Sequence, residues 1–224
     1  MEGNGAPAQA GLRLVRQLAE LHTQKKEFEK ALSYYDRLKT SEIGSDAGLD
    51  RAIADTIGRR FDYQIEQLNP FAADHDEQVA KIKAEKLEFL VSECQKRVER
   101  FPTDLAIRFE MGTLYFQAGK NGEAIKEFQK AQANPHKRIA SMNYLAQCFA
   151  RRNIFDLAAD TLQDAIKEKT LFDEEKKELV YNLGGIFESM GKKAEAIEQY
   201  KLIYKVDSSY RDVEKKMDEY LSGQ

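Results

Sequence analysis

The stretch Leu105–Arg138, LAIRFEMGTLYFQAGKNGEAIKEFQKAQANPHKR, decides the fold. Two amphipathic helical patterns lie in it on either side of Gly119-Lys120: Met111, Gly112 and Tyr115 mark the first, Ala124, Phe128 and Ala131 the second. The same set returns downstream. Ala146, Phe149, Ala158, Leu162 and Ala165 each follow their counterparts by 34 residues. A third copy, with Leu183, Gly184, Phe187, Gly191, Lys192, Ala196, Tyr200 and Ile203, is displaced by 38 from the second. The four extra residues are expected in the loop around Thr170–Asp173. Asn134-Pro135 reads as an N-cap with proline at the first helical position, and Asp173 before Glu174 and Glu175 as an acidic helix start.

Upstream, Leu18, Ala19, Ala31, Tyr35 and Leu38 repeat the internal rhythm, so residues 11–45 read as a first helical hairpin. Between it and the three close repeats (105–208), residues 46–104 are too long for one repeat and too short for two. Leu49, Ile53, Ile57, Phe61, Ile65 and Leu68 mark one helix there. Val79, Ile82, Leu87, Leu90, Cys94, Val98 and Phe101 mark another, broken from the first at Asn69-Pro70. Each should run roughly 30 Å or more at the usual rise per residue, giving an elongated hairpin. Residues 209–224 read as a capping helix. Ser209 with Asp212 resembles a capping box, and Val213, Met217, Tyr220 and Leu221 share one face. Residues 1–10 read as a flexible tail.

Composition narrows the class. Only 4 Pro and 13 Gly, with 42% hydrophobic and 33% charged residues, suit an ordered helical protein and argue against disulfide scaffolds and sandwiches. No apolar run approaches the ~18 residues of a membrane span. Met1–Gln9 lack a basic start and an apolar stretch. No secretory signal is therefore expected and the cytoplasm is the expected compartment, unless the chain is the soluble part of a membrane-anchored or periplasmic protein. Lys plus Arg total 35 against 38 acids, a net charge of −3 with mixed signs, which opposes nucleic-acid binding and leaves an RNA-binding helical repeat as a remote alternative. Cys94 and Cys148 form no CxxC pair and read as small buried apolar side chains. Asp74, His75, Asp76 and Glu77 could ligate a metal ion but read more cheaply as a charged loop before a helix, so no metal site and no cofactor are expected. His22, His75 and His136 are scattered. No nucleophile arrangement includes them, and no enzyme activity is expected.

The small residues Gly112, Ala146 and Gly184, the aromatics Tyr115, Phe149 and Phe187 three positions on, and Ala124, Ala158 and Ala196 in the second helices together resemble the tetratricopeptide repeat family, which includes bacterial members. Small residues let paired helices approach closely, and the aromatic three residues on is expected to fill the space beside them. The resemblance implies an all-α fold, an α-α superhelix. That is a right-handed solenoid of antiparallel helix hairpins, about nine helices with a C-terminal capping helix, forming a single domain over residues 11–222. It further implies a protein-interaction scaffold or adaptor whose first helices line a concave groove for a peptide or helix of a protein partner. Projected onto this sequence, the groove takes Phe109, Thr113, Phe116 and Gln117 from one repeat. The next supplies Asn143, Gln147, Ala150 and Arg151, and the third Tyr181, Asn182, Gly185, Glu188 and Ser189. Amides would bond an extended backbone, Arg151 a carboxylate, and the aromatics would act as apolar anchors. The carboxylate clamp of some family members is incomplete: Asn182 matches one element, but Asn143 stands where lysine belongs and Asp212 and Lys216 where two cations should follow. The alternative is a structural or oligomerisation role, with the elongated hairpin making a homo-oligomer contact.

Overall fold

The computed structural model describes residues 5–40 and 47–222. Among them are eleven α-helices and no strand. They are α1 (Gly5–Gln24), α2 (Phe28–Lys39), α3 (Ala47–Glu66), α4 (His75–Arg100), α5 (Leu105–Gln117), α6 (Asn121–Ala131), α7 (Arg138–Arg151), α8 (Phe155–Glu168), α9 (Glu174–Ser189), α10 (Lys193–Tyr204) and α11 (Val213–Ser222). The count exceeds the nine expected because the hairpin pattern itself supplies five pairs and a final helix. The helices fall into two compact units, Met1–Pro102 and Thr103–Gln224.

Within the hairpins α5–α6 and α9–α10 the two helices meet at the small residue. A β-carbon on Gly112 would stand 2.7 Å from the Phe128 ring, and one on Gly184 2.6 Å from the Tyr200 ring. The intervening repeat sets Ala146 against the smaller Leu162, both fully buried. The space beside the glycine is therefore filled from the second helix, 16 residues on, and not by the aromatic three residues on as the sequence suggested. That nearer aromatic has another task. The carbonyls of Tyr115, Phe149 and Phe187 accept the N–H of Lys120, Ile154 and Lys192, each at 2.9 Å, and close the helix end. Between donor and acceptor sits one residue in the left-handed region: Gly119 (φ 72°), Asn153 (φ 60°) or Gly191 (φ 75°). This is a Schellman-type ending, in which an αL residue lets the next N–H reach back to the last turn. The first hairpin ends identically. Lys26 has φ 61°, and the Glu27 N–H donates to the His22 carbonyl at 2.9 Å. All four αL residues follow the small residue of their hairpin by seven positions.

In the first unit, Ala19, Tyr35, Leu38 and Leu49 form the core cluster, flanked by Leu12, Val15 and Ile53. Helix α1 already begins at Gly5, inside the stretch expected to be a tail; Met1–Asn4 lie outside the described residues. The elongated hairpin is present as α3 and α4, of 20 and 26 residues, parted by the turn containing Asn69-Pro70. In the second unit, clusters around Phe128 and Leu145 and around Leu162, Leu183 and Tyr200 run through the three hairpins. The four extra residues of the third copy do not lie in its loop. Helix α8 runs three residues further past Ala158 than α6 does past Ala124, and α9 starts two residues earlier relative to Gly184 than α7 does relative to Ala146. The linker between them is one residue shorter. Extending two helices that already pack adds backbone bonds and contacts, whereas a longer loop would add only entropy.

Helix starts follow local hydrogen bonding. The Asp173 carboxylate accepts the Lys176 N–H, as its sequence context suggested, and Asp104 accepts those of Ala106 and Ile107, a cap the sequence reading did not single out. Asn134 does not cap α7: its side chain accepts the His136 N–H in a separate turn, and the helix starts at Arg138. The expected capping box before α11 is likewise absent, because the Ser209 hydroxyl bonds Asp207 and the helix begins at Val213. Val213 and Met217 are buried, while Leu221, 62% exposed, leaves the shared face.

Candidate functional site

The projected groove residues lie on α5, α7 and α9, the first helices of the three hairpins in the second unit. The structure brings most of them into contact with one another. Phe116 and Arg151 meet at the junction of the first two repeats: the guanidinium lies 3.5 Å from the ring centroid and donates to the Phe116 carbonyl at 2.8 Å. Arg151 thereby adds a second donor to a carbonyl in the last turn of α5 that also accepts the Gly119 N–H at 3.2 Å, at a helix end where a cation is favoured. Phe109 is half-buried in a ring cluster, 5.7 Å from Phe128 and 5.9 Å from Tyr144. Tyr144, which the sequence reading did not select, stacks on Phe128 at 4.9 Å and meets Phe116 edge-on at 5.3 Å. Its signal was its place two residues before Ala146, level with Asn182 in the next repeat.

Asn143 and Asn182 pair across the next junction. The Asn182 Nδ2 donates to Asn143 Oδ1 at 2.8 Å, and Asn143 is only 9% exposed. An amide pair of this kind satisfies a donor and an acceptor that would otherwise be desolvated singly. In the third repeat, the Tyr181 hydroxyl donates to Asp212 at 2.6 Å. Burial first, and this carboxylate second, push the phenol up to about 12. Glu188 accepts from Lys216 at 2.8 Å. Asp212 and Lys216, at the positions where a carboxylate clamp would carry cations, are thus internal partners of α9 and link it to the start of α11, which packs on α10.

Thr113 turns its hydroxyl back onto the Glu110 carbonyl at 2.7 Å, and Ser189 does the same onto Gly185. Among the described residues, exposed Gln117 and half-buried Gln147 make no hydrogen bond through their amides. The face therefore presents an internally braced ladder along its junctions, with the amides of Gln117 and Gln147 open between the rungs. Cys148, fully buried behind it, has its thiol pushed up to about 11 by burial, which suits a packing role over a nucleophilic one. No group of three or more His, Cys, Asp or Glu among the described residues is placed to hold a metal ion, and no described helix is long and apolar enough to cross a membrane.

Comparison with known proteins agrees with this geometry. Family models described as tetratricopeptide repeat match residues 109–171 and 178–210. No curated protein matches the chain. Among solved structures, MamA 41-end from Desulfovibrio magneticus RS-1 aligns with a TM-score of 0.63 at 14% identity, covering 88% of this chain and 96% of that one. YrrB, described as a TPR protein with an unusual peptide-binding site, aligns with a TM-score of 0.58 at 14% identity, covering 88% of this chain and 86% of that one. A further MamA crystal structure, at 19% identity and a TM-score of 0.54, covers 65% of this chain and 82% of that one. At these identities the likeness is one of fold. With two stretches matching the repeat itself and an all-helical fold of the same kind, residues 109–171 and 178–210 are tetratricopeptide repeats.

Proposed function

We propose that this chain is a protein-interaction scaffold that binds a segment of a partner protein on the face formed by α5, α7 and α9. The repeats and the structural neighbours support an interaction scaffold in general. The finer reading is carried by one observation: the open amides of Gln117 and Gln147 lie on the same helices as side chains already locked in place by Phe116–Arg151 and Asn143–Asn182. A surface whose neighbouring side chains are already fixed loses less entropy when a ligand binds. An extended backbone presents alternating N–H and C=O groups, and each amide side chain can meet either. The description of YrrB as carrying a peptide-binding site agrees with such a ligand.

The test must avoid the rungs, because Asn143, Arg151 and Tyr181 already make bonds that brace the fold. Thr113→Arg with Gln147→Arg places two long cations on the face without removing a bracing contact. Partner capture from the native cell, followed by mass spectrometry, should lose a specific protein with this pair while the thermal melt stays within a few degrees of the unsubstituted chain. Retention of every captured protein by the folded double variant would reject the face.

A further inference from the structure

The α3–α4 hairpin is under-packed for its composition. Over its distal part Ile57, Phe61, Ile65, Ile82, Phe89 and Leu90 are all only half-buried. At the tip, Phe71 is 93% exposed. Beside the tip, the end of α3 and the start of α4 enclose an open cleft of about 630 Å³ whose lining includes Tyr63, Leu68 and Ile82. A protruding aromatic and a recess lined in part by apolar side chains, among Gln64, Gln67, Gln78, Lys81 and Glu85, thus lie close together in sequence at one end of one hairpin.

The charges on the hairpin are sorted in the same way. Residues 69–79 contain Asp74, Asp76 and Glu77 and no Lys or Arg, whereas residues 80–86 contain Lys81, Lys83 and Lys86 against Glu85 alone. Lys86 is neutralised by Asp62 at 2.6 Å. Among the described residues, Asp76, Glu77, Lys81 and Lys83 form no ion pair. Asp76, Glu77, Lys81 and Lys83 are all exposed on a single helix, where only Glu77 and Lys81 have the four-residue spacing of an intrahelical pair and do not form one, so both patches stay open to a second molecule. Two hairpins laid antiparallel about a two-fold axis can satisfy both, since an isologous contact sets patch i against j and j against i at once.

We propose that a second copy of this chain docks on the distal hairpin. Phe71 of each copy enters the cleft beside Tyr63, Leu68 and Ile82 of the other, and Asp76 and Glu77 of each lie over Lys81 and Lys83 of the other. This surface is separate from the α5–α7–α9 face and involves no other protein.

Sedimentation equilibrium of the full chain over a wide concentration range tests it. The expected result is a reversible dimer whose dissociation constant rises at least about tenfold with Phe71→Ser, and which weakens with added salt because its ion pairs are at the rim. Lys81→Glu with Lys83→Glu, and separately Asp76→Lys with Glu77→Lys, should each shift the chain to monomer. An equimolar mixture of those two variants should regain the dimer, because each tip then meets a shaft of opposite sign. That regain also shows that both variants are folded. A chain that stays monomeric at several hundred micromolar, a dimer indifferent to Phe71→Ser, or a mixture that stays monomeric would overturn the proposal. None of these outcomes bears on partner capture by the α5–α7–α9 face.

Discussion

Gly112 lies so close to the Phe128 ring that a single β-carbon would stand 2.7 Å from Cε1, inside any real carbon–carbon contact. Phe128 is fully buried and flanked by Phe109 and Tyr144, so its ring has nowhere to retreat. Gly112→Ala should therefore destabilise the chain by about 1–3 kcal/mol through overpacking, although alanine is the better helix former. Phe128→Leu copies the Ala146–Leu162 pair of the next repeat and should relieve that clash. A denaturant-unfolding cycle should give the double variant a smaller loss than the sum of the singles; strict additivity would show that the two residues do not determine each other.

The left-handed turn residues give a second prediction. Gly191 has φ 75° and open space where a β-carbon would go, so Gly191→Ala should cost roughly 1 kcal/mol from backbone strain alone. Asn153 holds the same conformation at φ 60°, and Asn153→Gly should be neutral or slightly stabilising. Thermal melts of the two variants should move in opposite directions or differ clearly in size.

Lys177, only 7% exposed, pairs with Asp207 at 2.8 Å and with Glu174, and so ties the segment before α11 to α9. The Lys177 ammonium, then the Ser209 hydroxyl, hold the Asp207 carboxyl below the usual carboxylate range. A depressed folded pKa gives stability that is present above the unfolded value near 4 and is lost as pH falls through the folded one. Lys177 is raised by the same partners, chiefly Asp207. Its share is full below the unfolded lysine value and is lost as pH climbs through the raised one. Melting temperatures of the unsubstituted chain and of Asp207→Asn should differ at pH 7 and converge as pH drops toward 2. A gap that persists at the acid end would show that charge is not the cause.

The hairpins were legible in the sequence because their signal is local. Gly112 to Ala124, or Ala19 to Ala31, fixes how far the chain travels before it must pack on itself, and Gly119 and Gly191 mark where it turns. Periodicity shows which side of a helix faces inward but not which neighbour it meets. For that reason Phe128, not Tyr115, was the unseen partner of Gly112. The same gap hid the state of the projected groove: Asn143, Arg151, Tyr181 and Glu188 were correctly placed on first helices, yet their bonds to Asn182, Phe116, Asp212 and Lys216 span 28 to 39 residues. The extra four residues were misplaced because two helices lengthened by three and two residues and a loop lengthened by four are written with the same letters. At Asn134-Pro135, asparagine's competing turn chemistry took the cap that the dipeptide suggested for α7.

The measurement closest to the central claim is site-specific photo-crosslinking in the native cell, with a photoreactive side chain placed singly at Gln117 or Gln147 on the first helices and at exposed Gln129 or Asp164 on α6 and α8. A discrete adduct with the same protein from Gln117 and Gln147, and none from Gln129 or Asp164, is the result expected. Adducts formed from Gln129 and Asp164 alone would contradict it.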